Sequence, residues 1–415
     1  MTFRVLHTSD WHLGQYFYGK SRLKEHQAFI DWLIEQVSIH QIDAVIVAGD
    51  VFDTGTPPSY ARELYFDFIV KLHKLKCQLV LLAGNHDSVA MLSEAKDLLS
   101  QMSCTVIASA DRERKSQLVQ LHNKKGDLGA IVCGIPFIRP RDILLSQAGQ
   151  SAQEKQQSLQ QAITEHYQLM YEDAAKLAKG LVPIIATGHL TTVGVTSSDS
   201  VRDIYIGTLE AFNANAFPPA DYIALGHIHK NQRVAKSEHI RYCGSPIPLS
   251  FDEAKQQKCV LIAEFEHAKL SCVTELTVPC FQPLVMIKTS VDQLADMVKN
   301  TINQVELTDT KQTIWLDIEI NSAEYLQDLT LRIEDIIKDL PVEVLLVRRA
   351  KTSRNQMASN EKKITLNELS LEDVFEARLA LEHWESDEDL ARKSRMKQLF
   401  LSVVEQVEHS NGEKS

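Results

Sequence analysis

Leu79-Val-Leu-Leu-Ala-Gly-Asn-His-Asp87 decides how this chain is read. Five apolar residues in succession suit a strand buried on both faces, as in the middle of a parallel sheet. The run stops at Gly84, and an amide, an imidazole and a carboxylate follow at Asn85, His86 and Asp87. Three functional side chains in a row are more than a turn requires. They fall at the C-terminal edge of a strand, where open α/β sheets bind their ligands. Asn85 offers a neutral oxygen, and His86 is either a metal ligand or an acid/base group.

The same construction recurs on either side. Ala44-Val-Ile-Val-Ala-Gly-Asp50, Pro183-Ile-Ile-Ala-Thr-Gly-His189 and Tyr222-Ile-Ala-Leu-Gly-His-Ile-His229 are apolar runs that end in glycine and then a donor. Near the N-terminus, Phe3–His7 leads into Asp10-Trp-His12. Taken singly, each has an ordinary explanation. Gly-Asp is common turn chemistry, a lone Gly-His suits a packed histidine, and Asp-x-His suits a surface aspartate beside one. Together they list Asp10, His12, Asp50, Asn85, His189, His227 and His229, all oxygen or nitrogen donors with no thiolate. Such a set suits Mn²⁺, Fe²⁺ or Zn²⁺ and disfavours a structural zinc site. The donors are too many for one octahedral ion that must also hold water and substrate. They fit two ions sharing a bridging carboxylate, for which Asp50 is the natural choice. Glycine at each strand end is expected to let the backbone turn sharply and the site close up.

Further out, strands are expected at 3–8, 43–48 and 78–83, with helices at Arg22–His40 and Ser59–Lys74, where Phe29, Leu33, Val37 and Leu64, Phe68, Leu72 recur at helical spacing. More strands are expected near 104–108, 129–134, 182–187 and 222–226, an antiparallel pair at 258–266 and 269–278, and a long polar helix at 147–179. After Pro279 the pattern becomes strand 284–288, helix 291–304, strand 313–320, helix 323–338 and strand 342–348, a small α+β module. A polar linker, 351–363, and two helices, 370–383 and 386–408, complete the chain. The expected domains are 1–280, which carries the site, 281–350, and 351–415.

The series DxH, GD, GNHD, GH and GHxH, in that order, resembles the calcineurin-like dinuclear metallophosphoesterase superfamily. Thr8-Ser-Asp-Trp-His-Leu-Gly14, Gly49-Asp-Val-Phe-Asp-Thr54 and Tyr242-Cys-Gly-Ser-Pro246 with Phe251 downstream resemble, within it, the SbcD family of nuclease subunits. The likeness runs the length of the chain. It implies an α/β fold of four layers, a central β-sandwich flanked by helices, with a small α+β capping domain for DNA and C-terminal helices. It also implies two divalent ions, Mn²⁺ foremost. One would take Asp10, His12, Asp50 and His229, and the other Asp50, Asn85, His189 and His227. His86 would act on the leaving group. Asp53 would orient His86 or tune metal affinity, unless it merely caps its loop. The implied activities are 3′→5′ double-strand exonuclease, single-strand endonuclease and hairpin opening, in DNA repair, recombination and replication. The implied partners are double-stranded and hairpin DNA, the SbcC ATPase subunit, and a second copy within a heterotetramer. The chain itself has no G-x-x-x-x-G-K-[ST] and so is not the ATPase.

Composition bounds these expectations. The 44 Lys+Arg against 55 Asp+Glu give a net charge of −11, which argues against a generic cationic nucleic-acid binder. Residues 1–280 carry 27 basic and 30 acidic groups, however, and residues 281–415 carry 17 and 25, so most of the excess acid lies away from the site. Two divalent ions against Asp10 and Asp50 would leave the site at about +2, matched to a phosphodiester and a nucleophile. Seven scattered cysteines without C-x-x-C, no apolar run of membrane-spanning length and no secretory leader point to the cytoplasm. Arg348, Arg349, Lys351 and Arg354 form a cationic run suited to phosphate or to a solvated linker. Apolar stripes at Leu371, Val374, Phe375, Leu379 and at Met396, Leu399, Phe400, Val403, Val404, Val407 suit a partner helix or the protein's own capping module. Two other readings share the metal motifs. A phosphatase, nucleotidase or cyclic-nucleotide phosphodiesterase would not need the 135 residues after Cys280. A DNA-end-binding scaffold would not need an intact donor set.

Overall fold

The computed structural model describes residues 2–111, 114–144, 151–201, 211–305, 312–320, 326–349 and Met396. Two six-stranded sheets pack face to face. In the first, Phe3–Thr8, Ala44–Ala48, Gln78–Leu82 and Cys104–Ile107 run parallel, and Cys259–Glu266 and Lys269–Thr277 close one edge antiparallel. In the second, Leu128–Cys133, Ile184–His189, Tyr222–Gly226 and Ile240–Tyr242 run parallel, with Leu118–His122 and Gln232–Arg233 antiparallel at the edges. The parallel strands are mainly apolar because both of their faces are covered. Val5, Ile46, Val80 and Leu82 of the first sheet meet Val132, Ile185, Tyr222 and Ala224 of the second in the central core.

The outer faces carry the helices. Leu23–Ile39 and Ser59–Lys74 bury Phe29, Leu33, Val37 and Leu64, Phe68, Leu72 against the first sheet, the residues their helical spacing singles out. The long helix Ala152–Ala178 opens with a Ser151/Glu154 capping box and lays Leu159, Ile163, Tyr167 and Met170 on the second. The four layers are those expected. The edge strands Leu118–His122 and Gln232–Arg233, and the short inner strand Ile240–Tyr242, are additions that the sequence pattern does not announce.

Leu284–Thr289, Ile314–Ile320 and Val342–Arg349 form a separate three-stranded sheet, with helices Val291–Gln304 and Leu326–Ile337 covering its own core. All three strands are parallel, so the module expected as α+β is more narrowly a βαβαβ unit. Within it Arg348 pairs through two nitrogens with the buried Asp317, which commits that cation to the module's own structure. The Arg349 side chain, Lys351, Arg354, the linker and the two C-terminal helices with their apolar stripes lie outside the described residues, apart from the isolated Met396. The described residues between 2 and 349 belong to one compact unit. No helix among the described residues is long and apolar enough to cross a membrane. All seven cysteines are free, five of them buried.

His7, on the central strand of the first sheet, meets the Tyr222 hydroxyl of the second at 3.0 Å. Burial, reinforced by Arg241, pulls its pKa from the ordinary 6.5 down to about 3, so the ring is neutral in the folded protein. The unfolded chain takes up this proton first as the pH falls. His7 therefore withdraws stability from pH 6.5 downward, about 1.4 kcal/mol per pH unit until its folded pKa is reached. In urea titrations between pH 7 and 4, His7→Gln is expected to flatten the acid loss of stability by roughly that slope.

Candidate metal centre

The strand ends of the two sheets meet at one place. Asp10 and His12 follow Phe3–Thr8 on either side of Trp11, whose indole is anchored in the core against Phe29 and Phe68 with its N–H on Thr8 Oγ1 at 2.8 Å. The two flanking side chains are left to the site. The loop they form is tied to the one after Ala44–Ala48 by Asp10 N to Gly49 O at 3.0 Å, His12 N to Asp50 O at 3.1 Å and Leu13 N to Val51 O at 2.9 Å.

The glycines serve mainly by taking no space. A Cβ at Gly84 would stand 2.1 Å from Asp50 Oδ1, and one at Gly226 would stand 1.9 Å from the Ala48 carbonyl oxygen of the opposite sheet. Of the four glycines that precede a donor, only Gly49 has positive φ, at 93°. The sharp turns expected of glycine are made largely by the functional residues. Asp10, His12, Asp50 and His227 sit at φ of 55°, 47°, 48° and 91°. Non-glycine residues held in such regions cost about 1–3 kcal/mol each and concentrate at functional sites.

One donor atom each from Asp10, His12 and His229 lies within 4.8 Å of the others, and so does one each from Asp50, His189 and His227. Asn85 joins the second group, its Oδ1 at 3.0 Å from His189 Nε2 and 3.2 Å from His227 Nδ1. All seven expected donors are thus brought together, the six Asp and His among them buried. Asp50 Oδ2 reaches both groups, at 3.6 Å from His12 Nε2 and 3.2 Å from His189 Nε2.

The partners on the far side of each ring set which nitrogen faces the site. His189 Nδ1 donates to the Ala48 carbonyl at 2.9 Å, and His12 Nδ1 donates to Asp53 Oδ1 at 3.1 Å. A lone pair on His189 Nε2 would face two oxygens, an arrangement that only a shared proton or a metal ion relieves. The Nε2 atom of His12, which faces Asp50, is buried without a hydrogen-bond partner, and His227 turns its Nδ1 to Asn85. These buried, converging nitrogen and oxygen donors fit divalent cations. Burial would strip the charge from His189, yet Asp50 and then Asp10 outweigh it and hold its pKa up at about 9. Asp50, which burial would neutralise, is held well below the usual carboxylate range by His189, His12 and His86. It remains an anion that attracts positive charge.

His86 and Asp53 stand beside the donors. The His86 backbone N–H donates to Asp50 Oδ1 at 2.9 Å, and its ring Nδ1 donates to the Asp53 carbonyl at 2.7 Å. One His86 nitrogen also lies within 4.8 Å of donor atoms of His12 and Asp50, so proximity alone does not separate it from the ligands. The Asp53 carboxylate faces His12, whereas its backbone oxygen holds His86.

Residues 3–231 match the calcineurin-like phosphoesterase family. Over 404 residues the chain is 53% identical to the SbcD subunit of nuclease SbcCD from Escherichia coli (strain K12), covering 97% of this chain and 98% of that protein. The chain belongs to the SbcD family. Residues 280–383 match the type 5 capsule protein repressor C-terminal domain. The SbcD subunits of nuclease SbcCD from Bacillus subtilis (29% identical, covering 78% of this chain and 80% of the relative) and Rhodobacter capsulatus (28%, covering 85% and 89%) are more distant relatives.

In this chain Asp87 turns away from the donors. Its carboxylate accepts from Val51 N at 3.1 Å, Phe52 N at 2.9 Å and Gly84 N at 2.8 Å, clamping the Asp50 and Asn85 loops together. Burial and the nearby Asp50 push its pKa up to about 6 against those three donors. Adjacency in GNHD groups it with the functional side chains, and the fold separates it from them. Ser200 and Glu253 are further neighbours of the site that sequence reasoning missed, with Ser200 Oγ 2.6 Å from His229 Nδ1. Neither one directly follows a strand or a glycine, so no signal marks them. Asp87→Ala strands three backbone donors and is expected to lower stability by about 3 kcal/mol or more, measured by urea unfolding in the presence of chelator.

Proposed function

We propose that this SbcD-family phosphoesterase is a DNA nuclease subunit that works with two Mn²⁺ ions. Asp10, His12, Asp50 and His229 hold one ion. Asp50, Asn85, His189 and His227 hold the other. The observation that carries the reading is the buried Asp50 carboxylate within reach of both donor groups, with further ring nitrogens converging on it. When bound, two such ions supply Lewis acidity at phosphorus and a water acidified enough to attack at neutral pH.

The chain's own residues do the rest. Asn85 brings a neutral oxygen, which adds coordination without cancelling positive charge that a phosphodiester needs. Asp53 holds His12 in the Nδ1–H form, and Ala48 does the same for His189, so each presents Nε2 inward. His86, oriented by the Asp53 carbonyl, delivers a proton to the departing 3′ or 5′ oxygen. Such general-acid help is worth about 10²–10⁴-fold. The two sheets keep the donors on rigid elements. By family membership the substrates are double-stranded ends and hairpins cut with 3′→5′ polarity, the partner is the SbcC ATPase, and the setting is cytoplasmic DNA repair, recombination and replication. The assembly would be a homodimer within a heterotetramer.

Asp50→Ala is expected to lose both ions and DNA cleavage together. His86→Ala is expected to retain both ions by elemental analysis and lose turnover by about 10²–10⁴-fold. Loss of ions in His86→Ala would make it a ligand instead. Hairpin DNA incubated with Mn²⁺, with and without SbcC and ATP, tests the substrate. Hydrolysis of a small aryl phosphodiester with no DNA cleavage under any of these conditions would leave a phosphatase-type enzyme.

A further inference from the structure

Glu253 is fully buried and no strand end brings it to the site. It sits in the short 3-10 turn Phe251–Glu253, and its carboxylate gathers a set of buried partners. Ser198 Oγ donates to it at 2.6 Å, Leu249 N at 3.1 Å and Ser245 Oγ at 3.3 Å. Lys258 Nζ, itself 7% exposed, donates at 2.5 Å and also reaches Ser245 Oγ at 2.9 Å and the His229 carbonyl at 2.8 Å. Toward the metal centre, Glu253 Oε1 lies 3.4 Å from His229 Nδ1, and Ser200 Oγ bridges the two. A buried ion pair of this kind is weak evidence for stability, because desolvation offsets much of its attraction. Its placement on a donor histidine calls for another role.

The same turn carries the seat of the βαβαβ module. Phe251 packs with Phe17, Leu284 and Trp315 in one small cluster, and the Phe17 and Trp315 rings stack at 5.8 Å. Phe17 follows His12 by five residues, and Phe251 precedes Glu253 by two. The module therefore rests on two segments that each continue directly into the metal centre.

We propose that Glu253 is a positioning residue for His229, and that its turn makes one ion's affinity depend on how the βαβαβ module is seated. This rests on the two-ion reading above. Glu253, through Ser200, fixes the Nδ1–H form of His229 and turns Nε2 to the ion shared with Asp10 and His12. Lys258 neutralises Glu253 and grips the His229 backbone, so ring and main chain are held from one turn. A shift of the module pulls on Phe251 and, through Glu253, on His229. The second ion, on Asn85, His189 and His227, shares no ligand with this network apart from the bridging Asp50.

The test is Mn²⁺ titration of the full-length protein by equilibrium dialysis with elemental analysis. The Glu253→Gln/Lys258→Met pair removes both buried charges together and leaves neither unpaired. It is expected to retain one ion at wild-type affinity and to weaken the other about ten- to a hundredfold. Trp315→Ala, on the module's face, is expected to weaken that same ion severalfold and spare the other. Wild-type affinity at both ions in a folded double variant overturns the positioning role, and wild-type affinity in Trp315→Ala overturns the dependence on the module. Should the double variant not fold, ¹⁵N imidazole spectra of the wild type decide. Nδ1–H at His229 supports the proposal and Nε2–H overturns it. If the wild-type protein binds no Mn²⁺, both the two-ion reading and the proposal fall; binding of two ions by wild type alongside unaltered variants leaves the reading standing and removes only the proposal.

Discussion

A carboxylate that stays ionised inside a protein must be surrounded by compensating charge or donors, and Asp50 is that carboxylate here. One oxygen accepts the His86 N–H, and the other faces two imidazole nitrogens. Everything nearby is arranged to permit the approach. Gly84 and Gly226 leave room where any side chain would collide, Asp87 pins the two loops on the far side, and backbone carbonyls or carboxylates fix the imidazole tautomers. The fold can be regarded as a device for bringing strand ends of two sheets around one anion.

The strands that build this arrangement are legible in the sequence because both of their faces are buried. An all-apolar run that ends in Gly and a donor has few other meanings, and it places Asp50, Asn85, His189, His227 and His229 without reference to a structure. Helices are legible for the opposite reason, since one buried face leaves a 3.6-residue rhythm at Phe29, Leu33 and Val37. The edge strands Leu118–His122 and Gln232–Arg233 are not, because short strands with one paired side carry neither signature. Glycine marks the right positions in the sequence for a reason other than the expected one. Torsional freedom matters at Gly49, whereas at Gly84 and Gly226 what matters is the missing methyl group.

Neighbours of the site without a periodic setting are invisible to such patterns. Ser200 and Glu253 lie outside the strands and long helices, and only the tertiary fold brings them to His229. Asp87 shows the converse, since adjacency in sequence suggests shared chemistry while its carboxylate faces backbone donors. Arg348 likewise belongs to a cationic run that invites a phosphate, and the fold gives it Asp317 instead. Charge in a linear sequence reports only what is available, and burial decides what each group can still bind.

Asp10, His12, Asp50 and Asn85 all follow strands of the first sheet, and His189, His227 and His229 all come from the second. Neither sheet carries a complete set. During synthesis the first half of the site emerges more than a hundred residues ahead of the second, so a nascent chain displays carboxylates and an amide with no imidazole partners beyond His12 and His86. On the proposed two-ion reading each ion draws at least one histidine from the second sheet, so neither site is complete until that sheet has docked. Metal loading would then report on finished folding, and the cutting centre would assemble only with the later sheet.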